Sequence, residues 1–479
     1  MNWQGVWHMA QRRPNIVVMM ADDHRGTELG HLPGSGVRTP HLDALAARGV
    51  SFSQAHCQGG MTGAVCIPSR ASLMTGSNVF ASSANPGGGG SLPGMTIPPH
   101  LQTFPEALRE TGYRTHAIGK WHNDTASFHR AFSSGEAQMF QGMSDHLHVP
   151  IWAFSPEGEY PGAHQHQLTK PGGDPPEDFT WGEGFSSDIF ADAAIDFLEQ
   201  DHGTTPFLLY VAFTAPHDPR TPPPEWEIDP ATIDLPPNFV PQHPFDIGDM
   251  QVRDELLAGF PRTGEEVRQH IADYYGMIAH LDHSIGRVIA ALESSGLAED
   301  TIVIYTGDHG LAVGQHGLMG KQNLYEHSLR VPLVLAGPGI PAGVISPALV
   351  WHADTTATIR ALAGIDPDPE SEGMPYIRDG VAAGTHRNSL GGVYHYAQRM
   401  FRDARYKLIV TCEAPPHAPK LGSTAGSNHV QLFDLQRDPW EMRNLGGDPA
   451  LQDIRHQLER GLRQWQEEIG DELLKYPPA

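Results

Sequence analysis

Cysteine is scarce in this 479-residue chain: there are three, Cys57, Cys66 and Cys412. An odd, sparse set builds no disulfide framework. Cys57 and Cys412 read as structural thiols. Bases are also few, 32 Lys and Arg against 56 Asp and Glu, for a net charge of −24. That balance argues against general binding to nucleic acid or to an anionic membrane surface. If the substrate is an anion, its site must gather positive charge locally. Long apolar runs are missing, and none reaches the ~18 residues of a membrane span. Met1 to Arg13 lacks the apolar centre of a signal peptide. The chain is therefore expected in the cytoplasm, or in the periplasm or outside the cell if a leader was removed. No internal repeat is present. Glycine (52) and proline (41) are plentiful and imply many ordered loops, while 39% hydrophobic residues suffice for a sizeable core.

Several short apolar runs read as strands buried on both faces, as in a parallel sheet. They are Asn15 to Met20, Phe207 to Phe213 and Thr301 to Thr306, while Tyr113 to Ile118 is strand-like. Val50 to His56 and Val331 to Leu335 are two further strands. Helices are expected over Thr39 to Arg48, Leu101 to Glu110, Ser186 to Gln200, Glu265 to Ser294 and Ala353 to Ala363. Ala81 to Pro99 reads as a Gly/Ser/Pro loop. After about Ile365 the pattern changes to alternating strands at Val393 to Tyr396, Met400 to Thr411 and Gln431 to Leu435, then a helix from Leu451 to Glu468. The expected architecture is α/β: a large, mixed, mostly parallel sheet flanked by helices over 1–365, and a smaller antiparallel sheet plus helix over 366–479. At four strand ends polar residues follow at once: Asp22-Asp23, Lys120 with His122, His217, and Asp308-His309. In open α/β sheets ligands sit outside the carboxyl ends of the strands, so these groups belong at one edge.

The chain is organised around Ala64 to Gly76, AVCIPSRASLMTG. Pro68 suits the first turn of a helix and Gly76 its left-handed close. Cys66 then lies at a helix N-terminus, where free N–H groups favour an anion, with Arg70 one turn on along the same face. The string Cys-x-Pro-Ser-Arg resembles the maturation signature of the type I sulfatases, in the alkaline phosphatase superfamily, and the resemblance extends over most of the chain. It implies that Cys66 is oxidised to formylglycine by a formylglycine-generating enzyme, and that the hydrated aldehyde attacks sulfur. It further implies one divalent metal, usually Ca²⁺, held by Asp22, Asp23, Asp308, His309 and the modified Cys66. Many members carry Asn where His309 stands, which leaves Mg²⁺ or Mn²⁺ open. Three carboxylates and an imidazole also suit a hard divalent cation on chemical grounds. Arg70, Lys120 in Gly-Lys-Trp-His and Lys321 after His-Gly-Leu-Met-Gly match the family's cationic residues. His217 in Ala-Pro-His matches the histidine near the leaving oxygen, and His122 the one at the hydrated aldehyde. Asp308 is the implied proton acceptor for the nucleophile.

The expected reaction is hydrolysis of a small-molecule or saccharide sulfate monoester by S–O cleavage. Two other readings stay open. Phosphonate and phosphate ester hydrolases of the same superfamily share much of this site, and a non-enzymatic, metal-stabilised binding protein could keep the fold. Substrate choice is assigned to two long segments, Asn123 to Glu183 and Pro219 to Pro261. They hold His146, His148, Trp152, Tyr160, His164, His166, Trp181 and Trp226, which either line a pocket or pack the loops on themselves.

Overall fold

β1 (Asn15–Ala21) runs through the centre of the main sheet with every residue buried. The other strands of the two larger sheets are β2 (Gly49–His56), β3 (Gly59–Gly60), β4 (Arg114–Lys120), β5 (Ser134–Met139), β6 (Phe207–Ala212), β7 (Thr301–Gly307), β8 (Leu333–Ala336), β9 (Val344–Trp351), β10 (Leu390–Tyr394), β11 (Gln398–Arg402), β12 (Tyr406–Thr411) and β13 (His429–Asp434). The computed structural model describes residues 13–83, 95–163, 180–248, 252–414 and 426–471. The main sheet has eight strands in the order β9-β2-β8-β7-β1-β6-β4-β5. Only β8 pairs antiparallel with its neighbours, so the sheet is mixed and mostly parallel, as expected. Its two faces carry separate apolar cores: Ile16, Val18 and Met20 face one, Val17, Met19 and Ala21 the other. This period-2 division explains why the run reads as continuously apolar.

Register aligns the strand ends. Ala21 pairs with Gly307, Met20 with Ala212, and Gly119 with Ala212. The residues that follow β1, β6 and β7, together with the last residue of β4, therefore share one edge. Gly119 is left-handed, and a Cβ there would lie 2.1 Å from the Ala212 carbonyl oxygen. Only glycine fits this kink, which lets the chain deliver Lys120 at the edge.

Two expectations are corrected, and one strand was not foreseen. Asn123 to Glu183 is not wholly irregular: it contains a helix, Thr125–Ala131, and the edge strand β5. Asp124 caps that helix by accepting the Ser127 N–H at 2.8 Å, a signal too short to stand out as a period. Met400 to Thr411 is two strands, because the Asp403 carboxylate accepts the N–H groups of Arg405 and Tyr406 and closes a tight turn. β9 escaped sequence reading because its exposed and buried residues do not alternate cleanly, and its pairing with β2 is irregular between Ser346 and Leu349. Most of the Ala81–Pro99 loop, with His164 and His166, lies outside the described residues.

The second sheet, β13-β12-β11-β10-β3, draws its fifth strand from Gly59–Gly60, just before the Cys66 stretch. Arg402 and Lys407 of this sheet both donate to Glu326, five residues beyond Lys321, at 2.8 and 3.0 Å. His316 packs on Tyr325 with centroids 4.4 Å apart, and Tyr325 meets Phe433. The smaller sheet thereby fixes both segments that carry the chemistry. No helix among the described residues is long and apolar enough to cross a membrane.

Burial holds several histidines of this region neutral. It pushes His56 and His243 down to about 4 and His316 to about 3. Below the ordinary histidine value near 6.5, the unfolded chain takes up protons that the folded chain refuses. Stability is therefore complete above that value and falls with decreasing pH, by about 1.4 kcal/mol per unit for each such histidine. Melting temperatures measured from pH 8 to pH 4 are expected to be level above 7 and to drop steeply below 6. A level curve down to pH 4 would contradict this.

Candidate active site

The helix Cys66–Thr75 is buried along its whole length and ends at left-handed Gly76, as the sequence implied. Cys66 Sγ lies 2.9 Å from Lys321 Nζ, 3.4 Å from Asp22 Oδ1 and 3.9 Å from Asp23 Oδ1. Burial, joined by Asp22 and Asp308, pushes its thiol well above the ordinary cysteine value. Arg70, one turn on, donates from Nε to Asp308 Oδ2 and from Nη1 to the Lys120 carbonyl, both at 2.8 Å. Its Nη2 is buried without a hydrogen-bond partner. Ser69 of the same motif donates to the Asp308 carbonyl oxygen at 2.5 Å and meets His352 Nδ1 at 3.1 Å. The motif thus fastens the end of β7 as well as presenting Cys66.

Asp22, Asp23 and Asp308 are 0 to 1% exposed, which no carboxylate tolerates without compensating charge. Lys120 pairs with Asp22, and its ammonium also donates to the Gly142 carbonyl. Lys321 pairs with Asp23 at 2.6 Å. Asp23 is left-handed, and its N–H donates to Asp308 Oδ1 at 3.0 Å, so β1 and β7 cross-brace at their tips. Burial opposes the charge on Asp22, yet Lys120, His217 and Arg70 hold its carboxyl well below the usual range. Burial, together with Asp22 and Asp308, raises Asp23.

His217 Nε2 stands 3.6 Å from Asp23 Oδ2. Ligand-capable atoms of Asp22, Asp23, Cys66 and His217 all lie within 4.8 Å of one another. His217, read from the sequence as a leaving-group residue, is inside this tight group; Asp308 and His309, read as ligands, border it. His309 donates from Nδ1 to the Gly310 carbonyl oxygen, 2.7 Å away, while its Nε2 is buried with no partner. Burial pushes His309 down to about 4, so its free nitrogen holds a lone pair. His122 is left-handed, its Nδ1 is buried and unpartnered, and burial with Lys120 and Arg70 holds it neutral. Asp22, Asp23, Cys66, Arg70, Lys120, His122, His217, Asp308, His309 and Lys321 are therefore all buried. Three carboxylates and a free imidazole nitrogen fit a hard divalent cation. Spare donors on Arg70 fit an anion.

Sequence reading missed two partners, Gly142 and Tyr274, and left the role of a third, His146, open. Gly142 holds Lys120, and Tyr274 donates to the Asp23 carbonyl oxygen at 2.7 Å. His146 supports the His217 carbonyl at 2.9 Å and Ser186 Oγ at 2.7 Å. None has a strand-end signature, because each reaches the site from a loop or a helix face. Of the loop aromatics, Trp152 and Tyr160 pack against Phe140 and stay buried. Trp226 packs at a tilt against His280 and His283, and Trp181 meets His148 at the surface.

Comparison with known proteins agrees with this geometry. The family model described as Sulfatase matches residues 14–365, and that of the N-sulphoglucosamine sulphohydrolase C-terminal region matches residues 314–468. An ulvan-active sulfatase of Formosa agariphila is 28% identical, over 96% of this chain and 82% of its own. An N-acetylglucosamine-6-O-sulfatase of Bacteroides thetaiotaomicron is 25% identical, over 96% of this chain and 87% of its own. A structure solved with its substrate D-glucosamine-2-N,6-O-disulfate superposes with a TM-score of 0.75 at 22% identity, covering 96% of this chain and 99% of that one. The likeness to that structure is one of fold. The family match spans the eight-stranded sheet, the Cys66 helix, Asp22-Asp23 and Asp308-His309, and on it the chain belongs to the sulfatase family of the alkaline phosphatase superfamily, the sulfuric ester hydrolases.

Proposed function

We propose that this protein hydrolyses a saccharide sulfate monoester by S–O cleavage, using residue 66 after its oxidation from cysteine to formylglycine. One observation carries the reading: Cys66, at a buried helix start, is met by Asp22, Asp23 and Lys321 from strand ends and a loop far apart in the chain. The aldehyde, in water, supplies the attacking oxygen, and a formylglycine-generating enzyme is the implied maturation partner. Asp22, Asp23, Asp308 and His309 are the residues that would hold a divalent cation, calcium by family resemblance, which supplies positive charge for the sulfate oxygens.

The chain's own residues do the rest. Arg70 offers its unpartnered Nη2 to a sulfate oxygen. Lys120, clamped on Asp22, adds charge without freedom to move away. Asp308, fixed by Arg70, accepts a proton from the nucleophile. Lys321 and His217 stabilise and protonate the departing ester oxygen, and neutral His122 takes the proton whose loss releases sulfate. Together these cations meet the need for local positive charge in a chain of net charge −24. A saccharide leaving group is supported by the relatives that act on N-acetylglucosamine 6-O-sulfate and on glucosamine disulfate.

The test compares kcat/KM for 6-O-sulfated hexosamines, 4-nitrophenyl sulfate and a 4-nitrophenyl phosphonate monoester, with peptide mass spectrometry of residue 66 alongside. Sulfate esters are expected to win, with residue 66 lighter than cysteine. A phosphonate preference, or full activity with an intact thiol, would overturn the proposal.

A further inference from the structure

Three consecutive residues in the proline-rich connection after β6 reach the wall that carries His217 and Lys321. Arg253 forks onto Asp218: Nη1 donates to Oδ2 at 2.9 Å and Nη2 to Oδ1 at 2.8 Å. Asp218 in turn faces His217, with its carbonyl oxygen 2.8 Å and its Oδ1 3.3 Å from His217 Nδ1. Asp254 accepts Arg253 Nε at 2.8 Å and Gln322 Nε2 at 2.9 Å. Gln322 Oε1 then accepts the Lys321 backbone N–H at 3.0 Å. Glu255 accepts the N–H groups of Met319 at Oε2, 3.0 Å, and of Gly320 at Oε1, 3.1 Å, while Arg262 Nη2 also donates to Oε2 at 2.6 Å.

The approach is close. A Cβ on Gly320 would lie 2.5 Å from Gln322 Oε1 and 2.8 Å from Asp254 Cβ. Asp254 and Glu255 are each 5% exposed, and among their partners are backbone donors that would otherwise be buried unpaired. Arg–carboxylate forks fix geometry more tightly than single bonds, because two parallel contacts set both distance and plane. Among the described residues no hydrogen bond or ion pair joins this turn to Cys66, Asp22, Asp23 or Asp308. Apart from Arg253 Nη1 on Met143 Sδ at 2.9 Å and the Arg262–Glu255 pair, its side-chain contacts go to the segments bearing His217 and Lys321, about a hundred residues apart in the chain.

We infer that Arg253, Asp254 and Glu255 form a bracket of positioning residues that holds His217 and Lys321 in mutual register at the leaving-group oxygen. The inference rests on the proposed sulfate hydrolysis. When the S–O bond breaks, its electron pair goes to the ester oxygen, and a proton from Lys321 or His217 completes the alcohol. A sugar alkoxide needs that proton; 4-nitrophenolate leaves without it. A misplaced acid therefore slows the two substrates unequally, since proton delivery requires hydrogen-bond reach.

Arg253 is half-exposed, so Arg253→Met should fold. Its kcat on a 6-O-sulfated hexosamine is expected to fall by about 100-fold, against about threefold on 4-nitrophenyl sulfate, with KM little changed. Equal losses on both substrates, or none, would overturn the bracket as a positioning device. Backbone hydrogen exchange of Glu255→Gln gives a readout independent of turnover. Met319 and Gly320 are expected to lose protection at least tenfold while β1 and β7 keep theirs, and unchanged or global exchange would count against the bracket. If the wild-type enzyme hydrolyses no sulfate ester, the functional reading fails by itself, and the exchange result still decides whether this turn holds the loop.

Discussion

Cys66→Ala is expected to lower turnover of every sulfate ester by at least ~10⁴-fold, with the fold intact. The side chain is small, and its loss removes one sulfur from a helix start whose other bonds are backbone or come from Arg70 and Ser69. The destabilisation should therefore stay near ~1 kcal/mol, within the ordinary range for point mutants. Cys66→Ser should fail almost as completely. Serine brings a single hydroxyl, so a sulfuryl group transferred to it has no second hydroxyl to expel it. The serine variant is expected to stall after one turnover with sulfate retained on residue 66, visible by peptide mass spectrometry. An alanine variant within tenfold of wild type in steady-state assays would remove residue 66 from the mechanism.

Arg70→Met should be costly in two separable ways. Arg70 is 1% exposed and supplies the hydrogen bond to Asp308 Oδ2, so its removal leaves a buried carboxylate facing Asp22 and Asp23. Breaking a buried pair from one side typically costs about 3–5 kcal/mol. The sulfate oxygen also loses its donor, and kcat/KM should drop by about 10³-fold or more. Adding Asp308→Asn to Arg70→Met removes the uncompensated charge. Urea unfolding of the four chains of this cycle is expected to show the double variant recovering much of the lost stability. Activity should stay lost. A double variant no more stable than Arg70→Met alone would show that Arg70 supports the fold through some contact other than Asp308.

Much of the site was legible because strand ends punctuate the sequence. Each of Asp22-Asp23, Lys120 and Asp308-His309 falls directly at or after the end of a buried strand, and the parallel sheet brings such ends to one edge. The turn at Asp403 and the capped helix at Thr125–Ala131 were not legible. Each depends on one side chain meeting a backbone N–H, which leaves no periodic trace. The roles of Gly142, His146 and Arg253 were invisible for a different reason, although His146 was named among the loop residues. These residues act through contacts at sequence separations of 22, 71 and 35 residues, which only the folded chain creates.

The sequence by itself determined that Cys66 opens a helix, that Arg70 lies one turn along it, and that acids and bases follow buried strands. Local rules suffice there: proline and glycine punctuation, and apolar runs that must be buried on both faces. The tertiary structure decided which acid each cation faces. It placed Lys120 on Asp22, Lys321 on Asp23 and Arg70 on Asp308. It also put His217 into the tight group around Cys66 and set the Arg253 turn behind it. Pairings of this kind are fixed by sheet register and loop packing between distant segments, and neither is encoded at any single position.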